Sequence, residues 1–512
     1  MSRRSDHTTT GKRSNYNPSL GLNTSGLPGF DGQEGGPSEL AQGTWTHIFT
    51  SCLLNEFRSS ETRIRFLFAP TAQTLANPIS SYYNITFNGQ GFGGTNPLGI
   101  SQNMPQGRSE DLYQFQDTVS VTHGRHTLRL GADVGRQIET DLIAQNALGG
   151  LLFTKGGALS ALDNFLDNYL GASGQATKTF GPTRVNPHGW RTAVFAQDDL
   201  KLTPELTVNL GVRYDYLTNP ENSLQYPAVD INNPFHAINT VVPVINDTNN
   251  VAPRFGFAWN PHEAFFADGR TAFHGGIGGF FDTDFTNIVD NSAQAAPNAP
   301  TGLLTSTTGR GLANATSLLN TITPALSPQS SVLSVSNRMV NPLTWQWNLG
   351  VERELPGQIK LAANYVGIHA EKLFANQELN YFVNNVRLNP SRGAINIRGN
   401  RADSEYNSMQ VDLSRQFHHG LFFLATYTFG KDLDDASEVF STYASPTSYS
   451  ANLAPNGLRQ DWGPSVWDHR HYASFVYAWA PGGLHSSSFA TDAVLSALTR
   501  HITISGTAQF QS

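Results

Sequence analysis

The sequence predicts an all-β fold, an antiparallel transmembrane β-barrel, of which the chain supplies about 12–14 strands. Three observations lead to this prediction. Long runs of residues alternate between apolar and polar side chains, the connections between these runs alternate between short and long, and the composition combines few charges with many aromatic and glycine residues. Strands that cross a bilayer place alternate side chains in lipid, and they are joined by short periplasmic turns and long extracellular loops.

The composition excludes several classes of protein. Charged residues make up 14% of the 512 residues, against about 25% in typical soluble proteins, while aromatic residues reach 11% and glycines number 47. Mean hydropathy is −0.31, and no run approaches the ~18 apolar residues of a spanning helix. The net charge of −7 is spread along the chain, with no basic stripe for nucleic acid. Cys52 is the single cysteine, so the chain has no internal disulfide and no thiolate metal cluster.

Alternation is clearest in residues 206–216. Leu206, Val208, Leu210 and Val212 share one face of this strand, and Thr207, Asn209, Gly211 and Arg213 share the other. We expect the aliphatic set, with Leu349 and Val351, to face lipid, and Arg213, Asn348 and Asn364 to face inward. Residues 113–134, 345–365 and 409–429 follow the same pattern around short turns, which predicts β-hairpins.

Connection lengths predict which rim each turn occupies. Short connections are expected near 123–126, 202–205, 261–269, 355–358 and 416–420. Long ones, rich in Asn, Ser, Thr, Gly and Pro, are expected near 137–189, 217–250, 283–341, 369–404 and 432–467. We therefore expect the short turns at a periplasmic rim and the long loops at the opposite, extracellular rim.

Aromatic side chains predict two belts where the barrel meets the membrane interfaces. The belt positions are Tyr214, Tyr216, Trp345, Trp347, Tyr427 and Phe429 near the long loops, and Trp479 with Tyr477 at the opposite end. One helix is expected in a long loop, where Leu159, Leu162, Phe165, Leu166, Tyr169 and Leu170 recur at helical spacing before Gly171. Residues 1–40 are polar and Gly-rich, so we expect a loop or disordered segment there and the partial barrel at 41–512.

An ordered series of segments resembles the barrel of Oar-like TonB-dependent receptors, from about residue 44 to about residue 510. The segments are TWTHIF (44–49), LNEFR (54–58), FAQDDLKLTP (195–204), LTVNLGVRYD (206–215), APRFGFAW (252–259), GGIGGFFD (275–282), QWNLGVERELPG (346–357), YNSMQV (406–411), ATYTFGK (425–431) and DHRH (468–471).

The resemblance implies a bacterial outer-membrane barrel that works with the TonB–ExbB–ExbD system and takes up a substrate bound at its outer loops. It also implies a larger barrel, of about 22 strands. The family's signal peptide, regulatory-like domain, TonB box and plug are not visible, since Met1–Asp6 precede no apolar run and barrel-like segments begin within 60 residues. The sequence is therefore interpreted as a barrel fragment that does not transport by itself.

Other motifs favour structural roles. Residues 275–279 are rich in glycine but lack the Lys-Ser/Thr of a phosphate loop, so they are assigned to a strand. Residues 432–435 lack the Gly and distal Glu of a calcium loop and are interpreted as a solvated acidic loop, with a loop cation site as the alternative. The pairs His418–His419 and His469/His471 lack further metal ligands. Asp468 and Arg470 are expected to form an ion pair at the periplasmic rim.

The expected site is the polar face of the strands. Its candidate lumen-facing residues are Arg213, Asp215, Gln346, Asn348, Glu352, Lys360, Asn364, Gln410 and Asp412. No catalytic elbow or zinc-protease motif occurs, so the chain is interpreted as a non-enzyme without cofactor or metal. A receptor-type barrel for an unknown extracellular substrate is the first hypothesis. A secreted or surface all-β binding protein and a diffusion porin are the alternatives.

Overall fold

A computed structural model of the chain describes residues 30, 32–76, 84–88, 98–100, 104–143, 146–220, 229–240, 242–263, 266, 268–283, 286–418, 420–437, 461–480, 482, 494, 499 and 501–512, with the backbone of four earlier strand segments. The strands are β1 (Ser2–Thr9), β2 (Arg13–Ser14), β3 (Tyr16–Asn17), β4 (Leu22–Asn23), β5 (Gly32–Gly35), β6 (Pro37–Thr50), β7 (Leu53–Pro70), β8 (Asn84–Phe87), β9 (Gln106–His123), β10 (His126–Leu142), β11 (Gly150–Phe153), β12 (Gln175–Thr179), β13 (Arg184–Val185), β14 (His188–Lys201), β15 (Leu206–Leu217), β16 (Asn250–Trp259), β17 (Thr271–Phe281), β18 (Thr301–Thr305), β19 (Val332–Val335), β20 (Leu343–Leu355), β21 (Ile359–Glu378), β22 (Phe382–Val383), β23 (Val386–Arg387), β24 (Ile395–His418), β25 (Leu421–Asp434), β26 (Gly463–Pro464), β27 (His471–Trp479) and β28 (Ile504–Gln511).

The helices are short: α1 (Ala72–Ala76), α2 (Ala161–Leu166), α3 (Asn287–Ala293) and α4 (Ala315–Leu318). Among the described residues, none of these helices has the length and apolar character needed to cross a bilayer.

Fourteen long strands form one antiparallel wall, in which each strand pairs with the next long strand along the chain. They are β6, β7, β9, β10, β14, β15, β16, β17, β20, β21, β24, β25, β27 and β28. The backbone of β1 pairs with β6 at one edge. Within the described residues β28 pairs with β27 alone, so the sheet is open. The predicted number of strands is confirmed, and the wall begins at Pro37, before the expected division at residue 40.

The wall has a short-connection rim and a long-connection rim. The short-connection rim carries 51–52, 124–125, 202–205, 260–270, 356–358, 419–420 and the longer link 480–503. The long-connection rim carries 71–105, 143–187, 218–249, 282–342, 379–394 and 435–470. The predicted placement of short turns at one rim and long loops at the other is confirmed, because consecutive connections of the antiparallel wall lie at alternate rims and alternate between short and long. The loop expected at 369–404 is shorter than predicted, because β21 and β24 stay paired as far as Glu378 and Asn396, through register shifts around Leu373.

The two faces of the wall differ as the alternation predicts. Leu210, Val212 and Leu349 are 48%, 47% and 56% exposed, and they lie on the face that we call the apolar face. Arg213 and Asn364 lie on the opposite face, the polar face, and are half-buried among polar partners. The glycines at 275–279 lie in β17, and a side chain at Gly275 would meet Phe257 at 2.8 Å and the Asn348 carbonyl at 2.9 Å.

Three long connections fold together into a second sheet, the cap sheet, in the strand order β18-β12-β11-β8. Its core contains Ile85 from connection 71–105, Phe153 and Leu170 from 143–187, and Leu319 from 282–342, each at most 2% exposed. Helix α2 packs on this core and begins with a capping box between Ser160 and Asp163. The predicted helix is present but shorter, since it ends at Leu166 and leaves Leu170 in the core as a non-helical residue.

Candidate functional site

Across β10 and β15, the polar face carries a connected charge network. Arg213 Nε donates to Asp215 Oδ1 at 2.8 Å, and its Nη2 lies 3.9 Å from Asp133 Oδ2. Gln114 and Gln116 of β9 donate to the same Asp133 carboxylate at 3.3 and 3.1 Å. The predicted residues Arg213 and Asp215 are therefore in contact, with Asp215 only 7% exposed.

The other predicted polar residues form a separate group on β20, β21 and β24. Lys360 Nζ lies 2.6 Å from Glu352 Oε2, and Asn364 Oδ1 lies 3.1 Å from His274 Nε2. Strand register places Asn364 beside Gln410, whose amide donates to Ser408 Oγ at 3.3 Å. The remaining members share this face: Gln346 and Asn348 are exposed and Asp412 is half-buried.

A cavity of about 550 Å³ opens on this group at the short-connection rim. Its lining includes Glu352 and Lys360 from the predicted set, together with Arg270, Glu354 and Gln416. Both signs of charge line the cavity, so it suits a polar occupant that presents donors and acceptors, rather than an apolar one.

A second charge cluster, which we call the Arg108 cluster, lies at the other end of the polar face. Arg108 Nε approaches Asp141 Oδ1 at 2.8 Å and Glu139 Oε2 at 3.3 Å, and its Nη2 approaches Asp290 Oδ2 at 3.3 Å. Asn287 Oδ1 accepts a further bond from Nη2 at 2.6 Å. Arg108, Glu139 and Asp141 belong to β9 and β10, whereas Asn287 and Asp290 belong to α3, so the cluster fastens a long connection to the wall.

Electrostatics in this cluster favour the protonated form of Asp290. Three carboxylates surround one guanidinium, and Oε2 of Glu139 and Oδ1 of Asp290 accept no hydrogen bond from any described residue. Burial raises the pKa of the Asp290 carboxyl above its usual range, Asp141 raises it further, and Arg108 opposes both. These residues were not predicted from the sequence, because residues 108, 139, 141 and 290 come from three separate stretches. The alternation of β9 and β10 could have paired Arg108 with Asp141.

Two expectations about acidic residues were wrong. Asp434 ends β25 and Asp435 follows it, and they are 9% and 6% exposed. Asp434 accepts a hydrogen bond from Ser437 Oγ and Asp435 accepts one from the Asp403 backbone N–H, so residues 432–435 are not a solvated loop. Burial raises the pKa of Asp435 to about 6. Asp468 and Arg470 are paired at 3.0 Å, as expected. They lie between β25 and β27 at the long-connection rim, however, and not at the short-connection rim that was expected to be periplasmic.

The predicted histidines and aromatic belt residues lie in or beside the strands of the wall. His471 Nδ1 lies 2.8 Å from the Tyr427 hydroxyl, whereas the His418 and His419 side chains are outside the described residues. No group of three or more His, Cys, Asp or Glu side chains in the described ranges is arranged to hold a metal ion. The belt candidates Tyr214, Tyr216, Trp345 and Trp347 lie toward the long-connection ends of β15 and β20, Tyr427 and Phe429 lie within β25, and Trp479 ends β27 at the short-connection rim.

An open antiparallel wall with an apolar outer face, a charged opposite face and long connections at one rim defines the wall of an outer-membrane β-barrel. Family comparison agrees: residues 3–512 match the family described as "Outer membrane beta barrel domain", and the chain belongs to it. The chain is therefore an outer-membrane protein, and the expected fold class and location are confirmed. No curated protein matches the sequence.

Among solved structures, the chain is similar to the outer-membrane transporter YddB from Escherichia coli, with a TM-score of 0.53 and 11% identity over 90% of this chain and 51% of YddB. It also resembles P. aeruginosa FpvA, solved with pyoverdines (0.48; 11%; 96% and 47%), and the FrpB iron transporter from Neisseria meningitidis (0.45; 11%; 88% and 52%). YddB is described as an outer-membrane transporter and FrpB as an iron transporter. The chain spans about half their length, and the first likeness shows the fold.

Proposed function

We propose that the chain forms the wall of a receptor-type transporter, which binds its substrate at the long-connection rim for uptake energised by TonB. The observation that carries this proposal is the attachment of α3 to the polar face by the Arg108 cluster. A diffusion pore needs an open lumen, whereas here a long connection is held against the charged wall by buried ion pairs. Three of the long connections at the same rim also fold together into the cap sheet.

The polar face is proposed as the lumen lining, with Arg213, Asp215, Gln346, Asn348, Glu352, Lys360, Asn364, Gln410 and Asp412 as the residues that a passing substrate would meet. Alternating strands place one face in lipid, and Leu349 on the opposite face is 56% exposed and apolar. Transport rather than catalysis fits a site in which Arg213 pairs with Asp215 and Lys360 pairs with Glu352.

Uptake by cells with and without TonB tests the proposal. Cells that export the chain would be offered labelled siderophores, oligosaccharides and peptides, and binding would be measured separately from uptake. Saturable surface binding, with any uptake dependent on TonB, is the expected result. Equal, non-saturable entry of small solutes in both strains would instead identify a diffusion porin, and the absence of any binding or entry would contradict both functions.

A further inference from the structure

A groove crosses the apolar face of β25, β27 and β28. Its floor is made of three alanines, Ala425, Ala473 and Ala508, and its walls include the rings of Tyr427, Phe475 and Phe510. The groove is open to the surface and has a volume of about 400 Å³.

Strand register explains why the surface is concave here. One cross-strand row runs Leu413, Ala425, Phe475, Ala508, and the next runs Val411, Tyr427, Ala473, Phe510. Because alanine and aromatic side chains alternate along each row and between rows, the rings stand above a floor of methyl groups. In β15 the same face carries the larger side chains Leu210 and Val212 in succession.

A polar pair lies at the outer end of the groove. The Tyr427 hydroxyl is 2.8 Å from His471 Nδ1, and the His471 ring packs 5.2 Å from that of Phe429. Tyr427 is 42% exposed, so this pair places hydrogen-bonding groups on the lipid-facing surface. Phosphate and ester oxygens of a lipid accept such bonds, whereas acyl chains need only the apolar trough below.

We propose that this groove is a lipid-binding site: it holds one acyl chain of a phosphate-bearing membrane lipid, with the headgroup at Tyr427 and His471. Because the chain belongs to the outer-membrane barrel family, its apolar face lies against membrane lipid. An acyl chain in the trough makes dispersion contacts with the floor and with both sides. More of its surface is therefore shielded from neighbouring mobile lipids than it would be on a smooth wall. The site is independent of which substrate the barrel transports.

Lipid retention tests the site. The chain would be folded into vesicles of phosphatidylethanolamine and phosphatidylglycerol, checked for heat-modifiable migration, released in mild detergent, and analysed by native mass spectrometry. The variant Ala473→Leu fills the floor. The matched control Ala196→Leu adds the same side chain elsewhere on the apolar face, where Ala196 pairs with Leu130 and Val212.

Wild type should retain one tightly held lipid, Ala473→Leu should lower its occupancy at least fivefold, and Ala196→Leu should match wild type. Wild-type occupancy in Ala473→Leu, or equal losses in both variants, would overturn the site. If Ala473→Leu does not fold, Ala508→Val is judged by the same criteria. For the headgroup, wild type should prefer phosphatidylglycerol to a diacylglycerol of the same chains, and His471→Leu should lose this preference. A wild type without the preference would refute the headgroup assignment.

Discussion

At the scale of single residues, Arg108 is important for the stability of the folded wall, because it neutralises buried carboxylates. The side chains of Glu139 and Asp141 are 0% and 2% exposed, and each lies within 3.3 Å of the guanidinium. A buried carboxylate without its counter-charge is costly, whatever the net worth of the intact pair.

Arg108→Met is therefore expected to destabilise the folded wall by about 3 kcal/mol, because it leaves buried carboxylates unpaired. Urea unfolding in vesicles, followed by heat-modifiable migration, measures this loss. Arg58→Met is the matched control, because Arg58 pairs with Glu56 at an exposed position and surface pairs contribute little. Equal midpoints for both variants would contradict the role of Arg108.

Asp290 makes the attachment of α3 dependent on pH. Its pKa is raised in the folded state, so between the unfolded and folded pKa values the folded state binds more protons. The stabilisation is complete below the unfolded pKa and is lost as pH rises through the folded one. The groups that face Asp290 are Arg108, Asp141 and Glu139.

Amide hydrogen exchange in 287–293, corrected for intrinsic rates, should therefore quicken as pH rises through neutrality, and Asp290→Asn should remove this dependence. The Asn variant keeps a neutral side chain of the same shape and so mimics the protonated form. Exchange with the same corrected pH profile in both proteins would count against a titrating Asp290.

At the scale of elements, sequence alternation predicts strands well and connections poorly. The hairpin that contains 113–134 is found as β9 and β10, since period-two patterning survives wherever one face is apolar. The cap sheet was not predicted, because its strands are only four or five residues long and draw partners from connections far apart in sequence. The loop predicted at 369–404 is reduced to residues 379–394, because backbone pairing of β21 and β24 continues past the point where the alternation of apolar and polar residues stops.

Phe153 anchors the cap sheet, since it is fully buried and its ring contacts Phe87 and Phe165 at centroid distances of 5.9 and 5.2 Å. Phe153→Ala should cost the cap about 3–5 kcal/mol. Limited proteolysis should then cut within 150–180 while the wall stays heat-modifiable. Leu166→Ala, at a position 72% exposed, should leave the cleavage pattern unchanged. A cap that resists protease in the Phe153 variant would contradict this account.

At the scale of the whole molecule, the orientation of the two faces decides whether the wall can enter a membrane. Leu349 and Gln346 lie in the same strand on opposite faces. Leu349→Arg should destabilise the protein in vesicles by about 2–4 kcal/mol, since it places a charge in lipid, whereas Gln346→Arg should change stability little. Urea midpoints in vesicles measure both. A larger loss for the Gln346 variant would reverse the assignment of the faces.

Alternation indicates which residues share the polar face and which near neighbours can pair there, but it does not indicate the contacts between distant segments. Arg213 and Asp215 sit two apart in one strand, so their pairing follows from alternation. Asp290 reaches Arg108 across 182 positions of sequence, through a helix whose docking depends on Ile288 and Val289 packing with Val335 and Met339. No local pattern encodes such a contact, because it depends on tertiary packing.

The shared core of the cap sheet limits how the outer surface can evolve. Ile85, Leu170 and Leu319 lie in three different connections but in one core, so a change of volume at one of them must be matched at the others. Among natural homologues these positions should covary, as if they belonged to one contiguous segment. Leu166 and Leu303 of the cap are 72% and 52% exposed, so each of them can be substituted without a matching change at another position. Sequence variation on this barrel should therefore accumulate at the exposed positions of the cap, while the residues of its core are inherited as a unit.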